Sequence, residues 1–277
     1  MQISMMTYTM ARGLQKDEQF DAKGLCEFCH ELDIDVIDWV STYHYDAAQL
    51  RTITDDYGLK NVVHTFSADF NFATAEERKP AAETFKQGIE AAVTLGADIV
   101  MLPVSGKEEF SRDEARDNYL TGLEQAIGFA DDAGVTVTVE NFPHYLSPFI
   151  TSADVNAAVA RIPQLRVTFD NGNVTTGGET AAEGFNNSAQ YIVHAHFKDW
   201  KICSPDEPGA RVFLDGQYRR AVLVGDGDVD QLGGLKAMAD YGYEGCINFE
   251  YEGSELTPRE ATIEGVRRMR EWMAQVE

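Results

Sequence analysis

The chain has 277 residues, with 23 lysines and arginines against 46 aspartates and glutamates, a formal charge of −23. Such acidity argues against a non-specific nucleic-acid binder, whose phosphate contacts come from Lys and Arg; it favours solubility and says little about fold. With 44% apolar and 25% charged residues the composition is globular, and the length admits one large α/β barrel or two modest domains.

The N-terminal stretch MQISMMTYTMARG lacks the basic segment and long apolar run of a secretory signal, and no segment reaches the length of a membrane span. A cytoplasmic protein with no membrane contact is expected. Cys26 and Cys29 form a CxxC on a predicted helix, with no second pair and no turn around them. They read as small apolar packing residues in a reducing compartment.

In chain order the apolar strand segments are ISMMTY, IDVIDWV, NVVHTF, DIVMLPV, VTVTVE, LRVTFD, YIVHAHF and CINFE. Gly58, Gly96 and Gly134, spaced 38 residues apart, each follow a helical pattern and precede a strand, as does Gly242. A glycine there supplies the left-handed C-cap. Helix starts are marked by the Ser/Thr-x-x-acid boxes Thr74–Glu77, Ser111–Glu114, Thr151–Asp154 and Thr257–Glu260, the last with Pro258 at the first helical position. Between them run helical apolar stripes: Phe85, Ile89 and Val93; Leu120, Leu123, Ile127 and Ala130; Ile263, Val266, Met269 and Met273. All are read as core-facing. Eight strands alternating with helices over this length predict a single (β/α)₈ TIM barrel, one domain over residues 1–277. A doubly wound sheet is the competitor, but no strand is followed by a GxGxxG turn.

Alternation along the strands then sorts the faces. Val135, Val137 and Val139 point outward and Thr136, Thr138 and Glu140 inward; Thr168 and Asp170, and Asn248 and Glu250, follow the same rule. In YIVHAHFKD, His194, His196 and Lys198 share one face. Four strands therefore end, inside the barrel and at its C-terminal mouth, in Glu140, Asp170, His196 and Glu250. Barrel active sites lie at that face. Three buried carboxylates close together need a compensating positive charge. A divalent cation supplies it, and an oxygen-rich set with one imidazole suits Mn²⁺, Mg²⁺ or Co²⁺. The plainer alternative is four unrelated buried polar groups, each satisfied locally.

His194 lies one layer deeper than His196 and reads as a supporting or barrel-filling residue. Lys198 lies one step outward and either holds a substrate oxygen or pairs with an acidic neighbour. His64 ends the third strand and is a candidate for the same pocket. Trp39, ending the second strand, is a candidate pocket wall, and Tyr8, Asp38 and Tyr43 lie near it as candidate contacts. His144 and Tyr145 follow Glu140 and either reach the substrate or cover it. Lys107, Arg112 and Arg211 are candidate loop cations for a substrate phosphate or ordinary surface charges.

The motifs VTVENF (Glu140, Asn141), TFDNGN (Asp170, Asn173), HAHFKDW (His196, Lys198, Asp199), VGDGDVD (Gly225 to Asp230) and INFEYEG (Glu250) run in order along the chain. In these the sequence resembles the xylose isomerase-like TIM barrel superfamily, the sugar phosphate isomerase/epimerase group, over essentially its whole length. The resemblance implies one divalent metal, Mn²⁺ first and otherwise Mg²⁺, Co²⁺ or Zn²⁺, held by Glu140, Asp170, His196 and Glu250. It further implies that Glu140 and Glu250 act as the acid/base pair on a small-molecule carbohydrate, transferring a proton beside the carbonyl through an enediolate. Many relatives have a histidine where this chain has Asn173, which can hydrogen-bond a hydroxyl but not titrate. Ketose epimerases have an arginine near the strand-seven histidine, where this chain has Lys198 and Trp200 with Arg211 beyond, and a glutamate near the place of Leu146. His64, Trp39, Asn173, Lys198 and Arg211 are thus the expected substrate-binding residues.

The reading is an isomerase or epimerase of a small keto sugar or related polyol, with a lyase of inosose-dehydratase type as the alternative. A phosphodiesterase of the apurinic-site endonuclease type shares the barrel but needs several metals, more histidines than the six present and a basic surface. A sugar-binding barrel without activity is the non-enzymatic alternative. A homo-oligomer is implied by the resemblance alone.

Overall fold

A computed structural model describes residues 1–276. Seven strands follow one another with helices between them: β1 (Gln2–Met6), β2 (Val36–Val40), β3 (Lys60–Thr65), β4 (Ile99–Leu102), β5 (Thr136–Glu140), β6 (Arg166–Asp170) and β7 (Ile192–Phe197). After β7 the chain leaves the barrel for an antiparallel sheet of β8 (Asp199–Ile202), β9 (Arg211–Val212) and β10 (Tyr218–Val222), with β10 in the middle. It returns through the helix Gln231–Tyr241 to β11 (Cys246–Phe249), which pairs with β7 and β1 and closes an eight-stranded parallel barrel. The fold is the (β/α)₈ TIM barrel. The sequence carries little sign of this small sheet, because β9 is two residues long and its neighbours carry several charges.

The punctuation acts as its chemistry requires. Gly58, Gly96, Gly134 and Gly242 all have positive φ, between 68° and 80°, where a side chain would be strained. At Thr74, Ser111, Thr151 and Thr257 the hydroxyl accepts from the backbone N–H three residues on, while that residue's carboxylate reaches back, so two helix-end donors are satisfied at each start.

The main core lies between the barrel and its helices. Val137, Val139, Val167, Phe169, Ala195, Phe197, Ile247 and Phe249 face outward from the strands onto helix residues such as Phe85, Ile89, Leu123, Phe185 and Met269. Each large side chain so buried contributes roughly 1.5–3 kcal/mol. Cys26 and Cys29 are buried there, and burial pushes the Cys26 thiol up to about 11 and the Cys29 thiol higher still.

Two stripe members are not core. Val93 is 52% exposed and Ile263 45%. A spacing of four residues turns 400°, so the line through Phe85 and Ile89 has drifted off the buried face by Val93, and Gly88, Ala92 and Leu95 take that face instead. Ile263 falls outside the arc formed by Thr262, Val266, Met269 and Met273, because the three-residue steps to Val266 and Met269 turn only about 300° each.

Inside the barrel the fill is polar. Thr138 and Thr168 hydroxyls meet at 2.7 Å. Deeper, Asn248 bridges Ser4 and Asp38, and His194 Nε2 lies 2.9 Å from Asp38 Oδ2. All four residues are at most 1% exposed. They form the floor beneath the C-terminal mouth.

Candidate metal centre

Register brings the candidate ligands together. Asp170 lies opposite His196 across β6 and β7, and Asn248 opposite His196 across β11 and β7, which sets Glu250 just beyond. The Asn141 side chain clips the ends of β5 and β6, donating to Asp170 O at 2.7 Å and accepting from Asp170 N at 2.8 Å. Asp170 Oδ1 accepts from Gly172 N at 2.9 Å and Asn173 N at 2.7 Å, which aims Oδ2 into the barrel. One donor atom from each of Glu140, Asp170, His196 and Glu250 lies within 4.8 Å of the others, and all four residues are buried.

The chemistry of these atoms fits a divalent cation. Asp170 Oδ2 and Glu250 Oε2 are buried without a hydrogen-bond partner. Such orphaned acceptors are costly unless a cation compensates them. His196 turns Nδ1 to the acids, 2.8 Å from Glu140 Oε1 and 3.4 Å from Glu250 Oε2, and Nε2 toward Asp38 at 3.8 Å. A carboxylate behind a candidate metal-binding imidazole fixes its ring orientation. Lys198 Nζ completes the group, 2.7 Å from Glu250 Oε1 and 3.5 Å from Asp170 Oδ2.

The ionisations follow from crowding in a dry place. Burial, with the charges of Glu250 and Glu140 overcoming that of Lys198, raises Asp170. Burial would raise Glu250 too, but Lys198 and His196 outweigh it and hold it low. Burial opposes charge on His196 and Lys198, yet the surrounding carboxylates push both well above their ordinary values. Among the protein's own groups, the Lys198 ammonium and a proton on His196 answer the acids, the place that a bound cation would take.

The deeper group of Asp38, His194 and His196 has a different character. Asp38 Oδ2 is already engaged by His194 and Asn248, and burial of Asp38 is overcome by His194 and His196, which pull it down to about 2. His194 is held low by burial. None of the three lines the cavity.

That cavity, of about 430 Å³, sits over the cluster, and its polar lining includes Glu140, Glu250, Lys198, Tyr8, Arg211 and Glu252. Met6, Val40, Thr65, Met101, Pro103 and Phe142 line it as well. The volume suits a small-molecule ligand. Glu140 and Glu250 border it, whereas Asp170 and His196 stay behind them.

Lys198 and Arg211 reach the cavity, and three expected contacts do not. Trp39 is fully buried in the outer core, its ring edge-on to Phe20 and its Nε1 donating to Asn61 Oδ1 at 2.7 Å. Strand alternation sends Trp39 outward and Val40 into the cavity. His64 likewise faces outward, with Nδ1 3.3 Å from Trp39 O and its ring 5.5 Å from Phe66, while its neighbour Thr65 lines the cavity. Asn173 is fully buried behind Asp170, accepting from Trp200 Nε1 at 3.3 Å. Tyr43 stacks on Phe20 and bonds Thr7, away from the cavity, and Tyr145 is exposed. His144 does line it. Lys107 is held by Asp69 and Asn71, and Arg112 by Asp154 and Ser147, so both are structural.

A sequence profile of the family described as xylose isomerase-like TIM barrel matches residues 22–272. The chain belongs to this family. This xylose isomerase-like barrel is 26% identical over 230 residues to an inosose dehydratase of Lacticaseibacillus casei, covering 76% of the chain and 75% of that protein. Among solved structures it superposes on the IolI protein with a bound zinc atom at a TM-score of 0.79, with 16% identity over 100% of this chain and 99% of that one. A D-psicose 3-epimerase with D-tagatose from Clostridium cellulolyticum H10 gives a TM-score of 0.75, with 14% identity and 99% of both chains covered. At such identities these two likenesses speak for the fold. Among the described residues no helix is long and apolar enough to cross a membrane.

Two features of this xylose isomerase-like barrel lay beyond the sequence reading. Glu252 was visible as a second acid on the face of Glu250, but it stands past the end of β11, where alternation no longer dictates direction. Asp199 fastens the VGDGDVD turn, accepting from Gly225 N at 2.7 Å and from Gly227 N and Val229 N at 3.1 Å. A Cβ on Gly227 would come within 2.2 Å of Asp199, so the turn needs glycine there.

Proposed function

We propose that this protein is a divalent-metal-dependent isomerase or epimerase of a small keto sugar or related polyol, moving a proton beside the substrate carbonyl through an enediolate. One observation carries the reading: of the four clustered ligand candidates, the two glutamates are the ones that border the cavity. A carboxylate within reach of a substrate carbon can take a proton and return it. Glu140, Asp170, His196 and Glu250 would hold the cation, Mn²⁺ by preference for an oxygen-rich set. When bound, the cation supplies Lewis acidity for the carbonyl and the negative charge that develops there.

The chain's own residues do the rest. Glu140 removes the proton at the carbon beside the carbonyl, and Glu250 returns one. Lys198, held against Glu250, donates to a substrate oxygen on that side. Asp38 keeps the His196 ring aligned from below. Met6, Met101 and Phe142 keep water from the exchanging proton.

The test incubates Mn²⁺-loaded protein with ketoses and inososes in D₂O and follows the carbon beside the carbonyl by NMR. Deuterium entry without loss of water supports the proposal. The relative named an inosose dehydratase favours a second reading, in which the same proton removal is followed by departure of a β-hydroxyl. Loss of water, seen as a conjugated enone in the ultraviolet, would replace the first reading with the second. Elemental analysis of dialysed protein is expected to give close to one metal per chain, and no uptake of added Mn²⁺ would remove both.

A further inference from the structure

The cavity over Glu140 and Glu250 adjoins a second one of about 460 Å³, and the two share Tyr8, Arg211 and Glu252 in their walls. Arg12 and Arg220 stand on the far side, so three guanidinium groups surround one cleft on a chain whose formal charge is −23. Their partners are unequal. Arg220 has two carboxylates, Glu255 at 2.6 Å and Glu207 at 3.4 Å. Arg12 and Arg211 share one, Glu252, at 3.9 Å and 3.3 Å. The same carboxylate accepts from the Tyr8 hydroxyl at 3.0 Å and lies 3.8 Å from Lys198 Nζ.

One carboxylate shared between two arginines leaves a positive charge uncompensated at the cavity mouth. Glu252 lines the cleft as well, but the Arg12 and Arg211 side chains are 33% and 50% exposed against its 13%, so the donors are the more open to a ligand there. Arg211 is steadied by the Trp200 ring beneath it, 4.9 Å from its guanidinium carbon. Burial, with Glu252 and Glu250 nearby, pushes Tyr8 up to about 12, so its hydroxyl remains a donor.

We propose that this cleft is the subsite for an anionic group, a carboxylate or a phosphate, at the end of the substrate remote from the reacting carbon. Arg12 and Arg211 hold the group, and Glu252 sets how strongly they do so, the other end of the substrate lying at Glu140 and Glu250 as proposed above. Planar guanidinium forks match both kinds of anion. Glu252 competes with the ligand for the same donors, which makes it the specificity-determining residue of the cleft.

Calorimetric titration of the Mn²⁺-loaded full chain with D-fructose, D-fructose 6-phosphate and 5-keto-D-gluconate tests this, with deuterium exchange measured on the same three. At least one charged probe is expected to bind about tenfold or more tighter than fructose, from charge-assisted hydrogen bonds. R12Q and R211Q should each remove most of that preference and E252Q should enlarge it. Which probe gains identifies phosphate or carboxylate. Equal affinity for all three, no binding of either charged probe, or a preference untouched by R211Q overturns the subsite. The two readings fail separately: exchange on fructose with no anion preference ends the subsite alone, while arginine-dependent binding without exchange on any probe ends the proton-transfer reading alone.

Discussion

The two halves of the barrel mouth are built from opposite materials. From β1 to β4 the cavity receives Met6, Val40, Thr65, Met101 and Pro103, none of them charged. From β5 onward it receives Glu140, Lys198 and Glu250, with Asp170 and His196 packed behind. On the proposed reading, this difference lets one cavity be both reactive and largely dry. Charges gathered on one side act strongly because the other side offers no counter-charge and few polar groups beyond Thr65 and Ser105. An apolar wall is therefore part of the electrostatics, though it carries no charge.

Breaking the charged half should have the largest effect. Glu140→Gln is expected to lower deuterium exchange by about 10²–10⁴-fold, the usual worth of a positioned acid/base group, with elemental analysis separating loss of metal from loss of the base. Asp38→Asn strikes the support beneath it. Asp38 is held at about 2 against an ordinary 3.8, so its ionised form favours the folded state. That contribution, roughly 2–3 kcal/mol, is complete above pH about 4 and is lost as the pH falls through about 2. Urea unfolding should show wild type above the variant at pH 6 and the gap narrowing by pH 3; a gap that widens on acidification would reverse the assignment.

Smaller effects belong to the apolar half and the layer behind it. Met101→Gln puts a polar amide into the wall beside the Thr65 hydroxyl and should raise KM about tenfold, with metal content unchanged. An unchanged KM would show that the substrate does not lean on that wall. Trp39→Phe should cost about 1 kcal/mol by freeing Asn61 and leave KM alone, which separates an outer-core tryptophan from a pocket wall.

The same division decides what could be read from sequence. In the charged half, polar residues alternate with valine and phenylalanine, so Glu140, Asp170, His196 and Glu250 announce their direction. In the apolar half the inward polar residues Ser4 and Asp38 lie deep, and at the mouth Met6 and Val40 are as hydrophobic as their outward neighbours Met5 and Trp39, so alternation gives little contrast there. Position at a strand end points to Trp39 and His64 as pocket residues, whereas Val40 and Thr65 one step on occupy the pocket. A register shift between Ile37 and Asp38, where β2 meets β3, further blurs that region. The helices were legible through their caps, since hydroxyl, acid and glycine act locally. Arg12 carried no signal, because its role depends on Arg211 and Glu252, which are 199 and 240 residues away in sequence.

The small sheet after β7 begins directly beyond Lys198 and is fastened at its return by three N–H bonds to Asp199. Arg211 rides on it, while the candidate ligands stay on the barrel strands. On the proposed roles, selectivity and chemistry would occupy separable pieces of chain. An exchange of the segment between Asp199 and Val229 with that of another family member, keeping both anchor points, is a graft that would retarget the enzyme without rebuilding its centre.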